Sequence, residues 1–222
     1  MPVPTPRPRA PRMAKDARRA QVLAIAQELF AREGFHHVSM DDIAERAQVS
    51  KPVLYRHFPS KLDLYLAVVD HRGESLVAAI DEALADVAVD DPETGPAVVR
   101  AIVRAFVEFV EDAGESFSLL FESDVTHDTS VRTRVDQASD EAARAICRAL
   151  RELTGLPPEH ARLLSTALVG MARVAATARY RSQEMDVDDT VEIVARLAWR
   201  GVAGLVRDRS EASGPPAGES AG

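Results

Sequence analysis

A chain of 222 residues with 46% hydrophobic content holds enough apolar material for one large core or two smaller ones. Its apolar stretches are cut by Arg or Glu short of the ~20 residues a bilayer span needs, and its Pro/Arg-rich start has no apolar signal core, which sets aside membrane and secreted proteins. The net charge of -8 argues against a polyanion partner only until it is divided along the chain. Residues 1–61 carry eleven bases against six acids, the remaining 161 carry sixteen against twenty-nine, and every lysine lies in the first part. A basic head on an acidic body directs phosphate contact to the head.

Residues 1–13, "MPVPTPRPRAPRM", are too rich in proline and charge to pack and are expected to be a disordered basic arm, either a solvated tail or a strand along a DNA groove, with Met13 a second candidate start. In "AQVLAIAQELFAREGF" apolar residues recur at three- and four-residue spacing, predicting a first helix over 15–33 that Gly34 ends. "SMDD" is a capping-box pattern that opens a short helix over 40–46, and Asp41 and Asp42 are both expected to serve as caps there. Ser50 is placed to cap a third helix with Pro52 in its first turn. "SKLD" repeats the capping pattern at Ser60 and starts a longer fourth helix, whose apolar positions include Leu62, Leu66, Val69, Leu76 and Ile80.

Beyond it, helical spacing runs over 96–112, 131–153, 158–181 and 188–207, with no strictly alternating strand pattern. Residues 210–222 are again too polar to pack and are expected to be a disordered tail. The division expected is a basic head over 14–62 and a helical body over 63–209.

Two short helices joined by a tight "AQV" connection have the dimensions of a helix-turn-helix, whose second helix enters the major groove. Val53, Leu54 and Phe58 are its expected anchors. Lys51, Pro52 and Tyr55 then face bases or sugar, with Arg56 toward groove or solvent. Phosphate contact falls to the Tyr55 hydroxyl, His57, Lys61 and the amides at Ser39, Met40 and Ser60.

The stretch "SMDDIAERAQVSKPVLYRHFPSKLDLYLAV" resembles the DNA-binding head of the TetR family of bacterial transcriptional regulators, a likeness that spans about residues 15 to 69. The resemblance implies an all-α homodimer: a three-helix head joined to a larger helical domain with an effector pocket, paired through its last two long helices. By matching positions it carries DNA contact onto Ser39, Met40, Ser50, Lys51, Pro52, Tyr55, His57 and Lys61. Gln48 departs from the family's usual turn glycine; if the turn needs positive φ, it is either locally altered or strained.

The body's functional residues are less marked. Phe106, Phe109, Phe117, Leu120 and Phe121 form an aromatic-rich cluster, and Met171, Arg173, Thr177 and Tyr180 lie on a helix that can face it, a lining suited to an apolar ligand. Arg104, His127 and Arg173 are its candidate polar anchors. For the dimer contact, the helix over 158–181 offers Leu163, Leu164, Ala167, Leu168, Met171, Val174, Ala175 and Ala178. The helix over 188–207 offers Val191, Val194, Ala198, Gly201, Val202 and Leu205.

The six histidines form no metal-ligand pattern, and there is no phosphate loop or nucleophile-base arrangement, so an enzyme, a metal or a cofactor is not expected. The lone Cys147 reads as packing in a reducing compartment. The reading is a cytoplasmic, nucleoid-associated repressor released from a palindromic operator in double-stranded DNA by a small hydrophobic ligand. An activator or effector-independent regulator of the same fold is the alternative, and a helical protein-interaction module a more distant one.

Overall fold

The computed structural model describes residues 15–87, 94–121, 125 and 128–212, with the side chains of Lys15 and 202–212 outside the description. The expectations for the N-terminal arm, the C-terminal tail, His127, Val202 and Leu205 therefore lie outside the described side chains. Every regular element among the described residues is helical. The chain forms two compact units divided between Val68 and Val69.

The head contains α1 (Lys15–Glu33), α2 (Met40–Arg46), α3 (Lys51–His57) and the start of α4 (Lys61–Ala85). Its core is built from Val22, Ala26 and Phe30 of α1, Ile43 and Ala44 of α2, Leu54 of α3, and Phe58, Leu64, Tyr65 and Val68. The Tyr65 ring meets Phe30 edge-on at 5.1 Å and Phe35 at 5.0 Å, the geometry aromatic quadrupoles favour. The buried residues at the start of α4 are thus Leu64, Tyr65 and Val68, whereas Leu62 and Leu66, the expected positions, are half-buried. Val53 is likewise half-buried and leaves the anchoring of α3 to Leu54 and Phe58.

The body continues with α4 and adds α5 (Thr94–Ala113), a 3-10 turn (Gly114–Phe117), α6 (Ser118–Phe121), α7 (Thr129–Thr154), α8 (Pro158–Ser182) and α9 (Val187–Ala212). Val98, Val99, Ile102, Val103, Phe106, Val107 and Val110 are all buried, so α5 is apolar around most of its girth and packs against α7, α8 and α9. A Cβ on Gly95 would run into the Trp199 ring, so glycine is what lets α5 and α9 approach there. The Gly73 backbone of α4 lies against Ala138 of α7, and Asp70–Arg134 and Asp81–Arg148 pairs flank that contact. Such exposed pairs contribute little beside the apolar packing.

The turn between α2 and α3 resolves the question posed by Gln48. Val49 N–H donates to Ala44 O at 3.0 Å and Gln48 N–H to Glu45 O at 3.0 Å, a Schellman ending that needs a left-handed residue at position 48. Gln48 adopts it, at φ 53°, so the turn is unaltered and the strain is borne. Gln48→Gly is expected to raise head stability by about 1 kcal/mol, less than the full strain because glycine loses more backbone entropy on folding. A thermal melt that shows no rise would mean that the Gln48 side chain supplies an offsetting contact.

Candidate nucleic-acid interface

Ser39 ends the turn before α2 in an extended conformation, φ -104° and ψ 160°, and its Oγ accepts from Asp42 N–H at 3.1 Å. Asp42 Oδ2 accepts in return from Ser39 N–H at 2.8 Å, closing the capping box read from the sequence. Hydrogen bonds from the Ser39 side chain and backbone hold the Asp42 carboxyl below the usual carboxylate range. The box therefore gains stability above that range and loses it as pH falls through the lowered value. At α4 the Ser60 hydroxyl joins Asp63 twice, accepting from Asp63 N–H at 3.1 Å and donating to Asp63 Oδ2 at 2.7 Å.

Asp41 does something other than cap. Its Oδ2 accepts from Lys51 Nζ at 2.7 Å, a bridge from α2 to α3 that also raises the Lys51 pKa, chiefly through the hydrogen bond. Ser50 occupies the N-cap of α3 in extended conformation but makes no side-chain cap bond.

Around these caps, α3 turns Leu54 inward and presents Lys51, Pro52, Tyr55 and Arg56 outward; Tyr55 is 46% exposed, unusual for a large aromatic residue. His57 is half-buried beside Phe58. Besides Ser39 and Lys51, two more of the residues assigned by sequence are engaged otherwise. Met40 is 7% exposed and gives its side chain to the core, leaving its backbone for outside contact. Lys61 Nζ donates to Phe35 O at 2.8 Å and Val38 O at 2.9 Å, with the charge 4.4 Å above the Phe35 ring. It clamps the turn that leads into α2.

In the body, Phe106, Phe109 and Phe117 each lie within 6.5 Å of the half-buried Phe121 ring, and Tyr180 meets Phe117 edge-on at 5.1 Å. Arg173 sits over Phe121 at 5.9 Å, while Met171 and Thr177 are half-buried on the same helix. Arg104 is committed to Asp188 at 2.7 Å and Glu108 at 3.2 Å.

The residue that sequence reasoning missed is Arg72. Its guanidinium lies 4.4 Å from the Phe109 ring centroid, and its buried Nε has no hydrogen-bond partner. Burial pushes its pKa down, and Asp112 pulls it back. It lines a cavity of about 620 Å³ between α4 and α5 with Phe109, Arg104 and the acidic Glu82, Asp86, Glu108 and Asp112. The available signal was its spacing, three residues after Val69 and four before Leu76, which puts it on the buried stripe of α4.

No described helix is long and apolar enough to cross a membrane, and no group of three or more His, Cys, Asp or Glu among the described residues could hold a metal ion. The free Cys147 is half-buried.

The outward face of α3 and the helical body each have counterparts in known proteins. Residues 22–68 match the family described as bacterial regulatory proteins, tetR family, and residues 99–207 match the tetracyclin repressor-like C-terminal domain. The chain is 36% identical over 205 residues to the HTH-type transcriptional activator FasR of Mycolicibacterium smegmatis, a match that covers 91% of this chain and 90% of that one. A TetR-like transcriptional regulator from Rhodococcus sp. RHA1 superposes with a TM-score of 0.68 at 30% identity, over 87% of this chain and all of the other. FadR of Bacillus subtilis, solved in complex with stearoyl-CoA, has the same fold at 16% identity and a TM-score of 0.68, over 82% of this chain and 98% of its own. With both of its units matched and a relative aligned over nine-tenths of its length, this chain belongs to the TetR family of DNA-binding transcriptional regulators.

Proposed function

We propose that the protein is a homodimeric, ligand-responsive regulator, working in the cytoplasm at the nucleoid, that reads a palindromic operator with α3 of each subunit. The observation that carries this reading is the outer face of α3, where Lys51, Pro52 and Tyr55 stand exposed above the buried Leu54 and Phe58. A seven-residue helix is ~10 Å long, which suits a major groove ~12 Å wide. Ser50, His57 and the Tyr55 hydroxyl then take phosphates, Met40 acts through its backbone amide, and Ser39 and Lys61 serve the interface by capping α2 and holding the turn before it. A footprint of the protein on its own upstream DNA, followed against salt, tests this directly. Two protected half-sites about one helical turn or more apart and a steep salt slope support it, and a folded dimer that selects no sequence from random duplexes refutes it.

The body is proposed to hold an apolar effector against Phe106, Phe109, Phe117 and Phe121, with Met171, Arg173, Thr177 and Tyr180 from α8. Arg72, which meets Phe109 from a neighbouring cavity on the α4 side, is its proposed polar anchor. A buried guanidinium N–H without an acceptor is costly, and a neutral carbonyl at the head of an apolar chain would satisfy it without adding charge beside Glu82, Asp86, Glu108 and Asp112. That the fold accommodates stearoyl-CoA in Bacillus subtilis FadR is in keeping with such a ligand. Ligand binding would favour a head spacing unsuited to the operator, weakening DNA binding by a coupling of ~1–3 kcal/mol and relieving repression. The name of the relative at 36% identity favours a second reading in which the bound regulator activates.

Arg72→Met is expected to leave the melting temperature unchanged or raised while weakening a long-chain acyl thioester by ten- to a hundredfold, the ~1.5–3 kcal/mol of a charge-assisted hydrogen bond. Calorimetric titration of both proteins with one acyl-chain series checks this, and equal affinities would remove Arg72 from the site.

A further inference from the structure

We propose that Asp41 and Lys51 read one G·C base pair of each operator half-site as a unit, Lys51 on guanine and Asp41 on the amino group of its cytosine. The inference rests on the reading that α3 enters the major groove, and it explains a residue that reading leaves over. Asp41 caps nothing, since Asp42 forms the box with Ser39. Its carboxylate stands on the groove-facing side of a basic head, where it repels every phosphate. The pair it makes with Lys51 is exposed on both sides, 59% and 61%, so it adds little to stability in water. A carboxylate outside the capping box, whose helix-end role does not require Lys51, is held against the lysine best placed to reach bases and is available for recognition.

The chemistry of the pair matches one base-pair edge. An ammonium has three donors. Asp41 Oδ2 takes one at 2.7 Å, leaving two for the adjacent acceptors O6 and N7 of a guanine. The carboxylate keeps lone pairs for the cytosine N4–H that points into the groove. In a G·C pair O6 and N4 are joined by a hydrogen bond and so lie roughly 2.9 Å apart. That is close to the Nζ–Oδ2 separation, so donor meets acceptor at both positions without opening the bridge. An A·T pair places the adenine N6 donor between its two acceptors, so the ammonium finds only one acceptor beside the carboxylate. Because the bridged pair is neutral as a whole, it reads bases while contributing little to the salt dependence that phosphate-bound lysines create.

The test uses full-length wild type and Asp41→Ala, a substitution at an exposed position outside the capping box, where losing a first-turn acid costs the helix little. Selection from random duplexes by wild type is expected to enrich a palindrome with an invariant G·C at one symmetric position, and Asp41→Ala is expected to relax that position alone. On the selected operator, replacing that cytosine by pyrimidin-2-one, which lacks the 4-amino group, should weaken wild type by about tenfold and Asp41→Ala hardly at all. The variant thereby controls for the weakened base pairing. Its salt slope should also steepen by about one unit as Lys51 is freed for phosphate. Equal losses in both proteins, or an Asp41→Ala protein that binds all DNA more tightly with unchanged base preference, would overturn the proposal while leaving operator reading intact. A wild type that enriches no sequence would overturn both.

Discussion

Phe30→Ala is expected to unfold the head and abolish operator binding while the helices of the body persist. Phe30 is 1% exposed and meets both Phe35, at 5.9 Å, and Tyr65, at 5.1 Å. Truncating such a ring costs about 3–5 kcal/mol, the lost transfer energy plus the cavity left behind. A unit of roughly 50 residues has only ~3–8 kcal/mol to lose. The penalty is therefore of the order of the head's whole stability, while the buried face of α5 is untouched. Hydrogen exchange resolved along the chain checks this: protection should vanish over α1–α3 and remain over α5, α7 and α8. Phe30→Leu, which refills most of the volume, should retain a folded head and much of the DNA affinity. Loss of protection throughout the body would mean instead that the two units fold as one.

What the sequence made legible follows from the range of the physics involved. The caps at Ser39 and Ser60 lie within three residues of their partners, and helical periodicity is local as well, so every long helix for which bounds were expected lies within about five residues of them. Gln48 was suspect only because the family resemblance puts glycine at that turn; the left-handed residue of a Schellman ending explains why. The 3-10 turn over Gly114–Phe117 and the short α6 were not read, since four-residue pieces carry too little periodicity. The partners of Asp41, Lys61 and Arg72 were not read either. Asp41 and Lys51 are ten residues apart, and Lys61 reaches carbonyls 26 and 23 residues back. Chain folding alone decides such meetings, which is why Asp41 passed as a cap and Lys61 as a free phosphate ligand. The dimer contact shows the same limit. Leu168, Val191 and Ala198, expected to face a partner, are buried in their own chain, whereas the unremarked Ile193 and Leu197 stand out from α9.

Those outward side chains underlie the largest expected effect on function: Val174→Arg and Leu197→Arg, separately or together, should yield a folded monomer that has lost the operator. Leu163 at 69% exposed, Ala167, Gly170, Val174 at 61% and Ala178 follow one another at three- and four-residue steps along α8. Ile193 at 51% and Leu197 at 65% continue the apolar surface on α9, with the exposed Gly201 one turn farther on. A Cβ built on Gly170 or Gly201 meets nothing, so neither glycine is needed for packing within the chain. A monomer gains nothing from such a stripe, but a second copy with small residues facing small residues would bury it. Two-fold symmetry counts each substitution twice, removing about 3–6 kcal/mol of apolar burial per position. The new charge at 197 would also join Arg196 and Arg200 on α9 of both subunits. Without its partner a single head binds one half-site, and the gain from tethering two, on the order of 10²–10⁴-fold, disappears. Sedimentation and footprinting of the same preparations separate the possibilities. A monomer that still occupies the full palindrome at wild-type concentration would show that the two heads are brought together by DNA and not by α8 and α9.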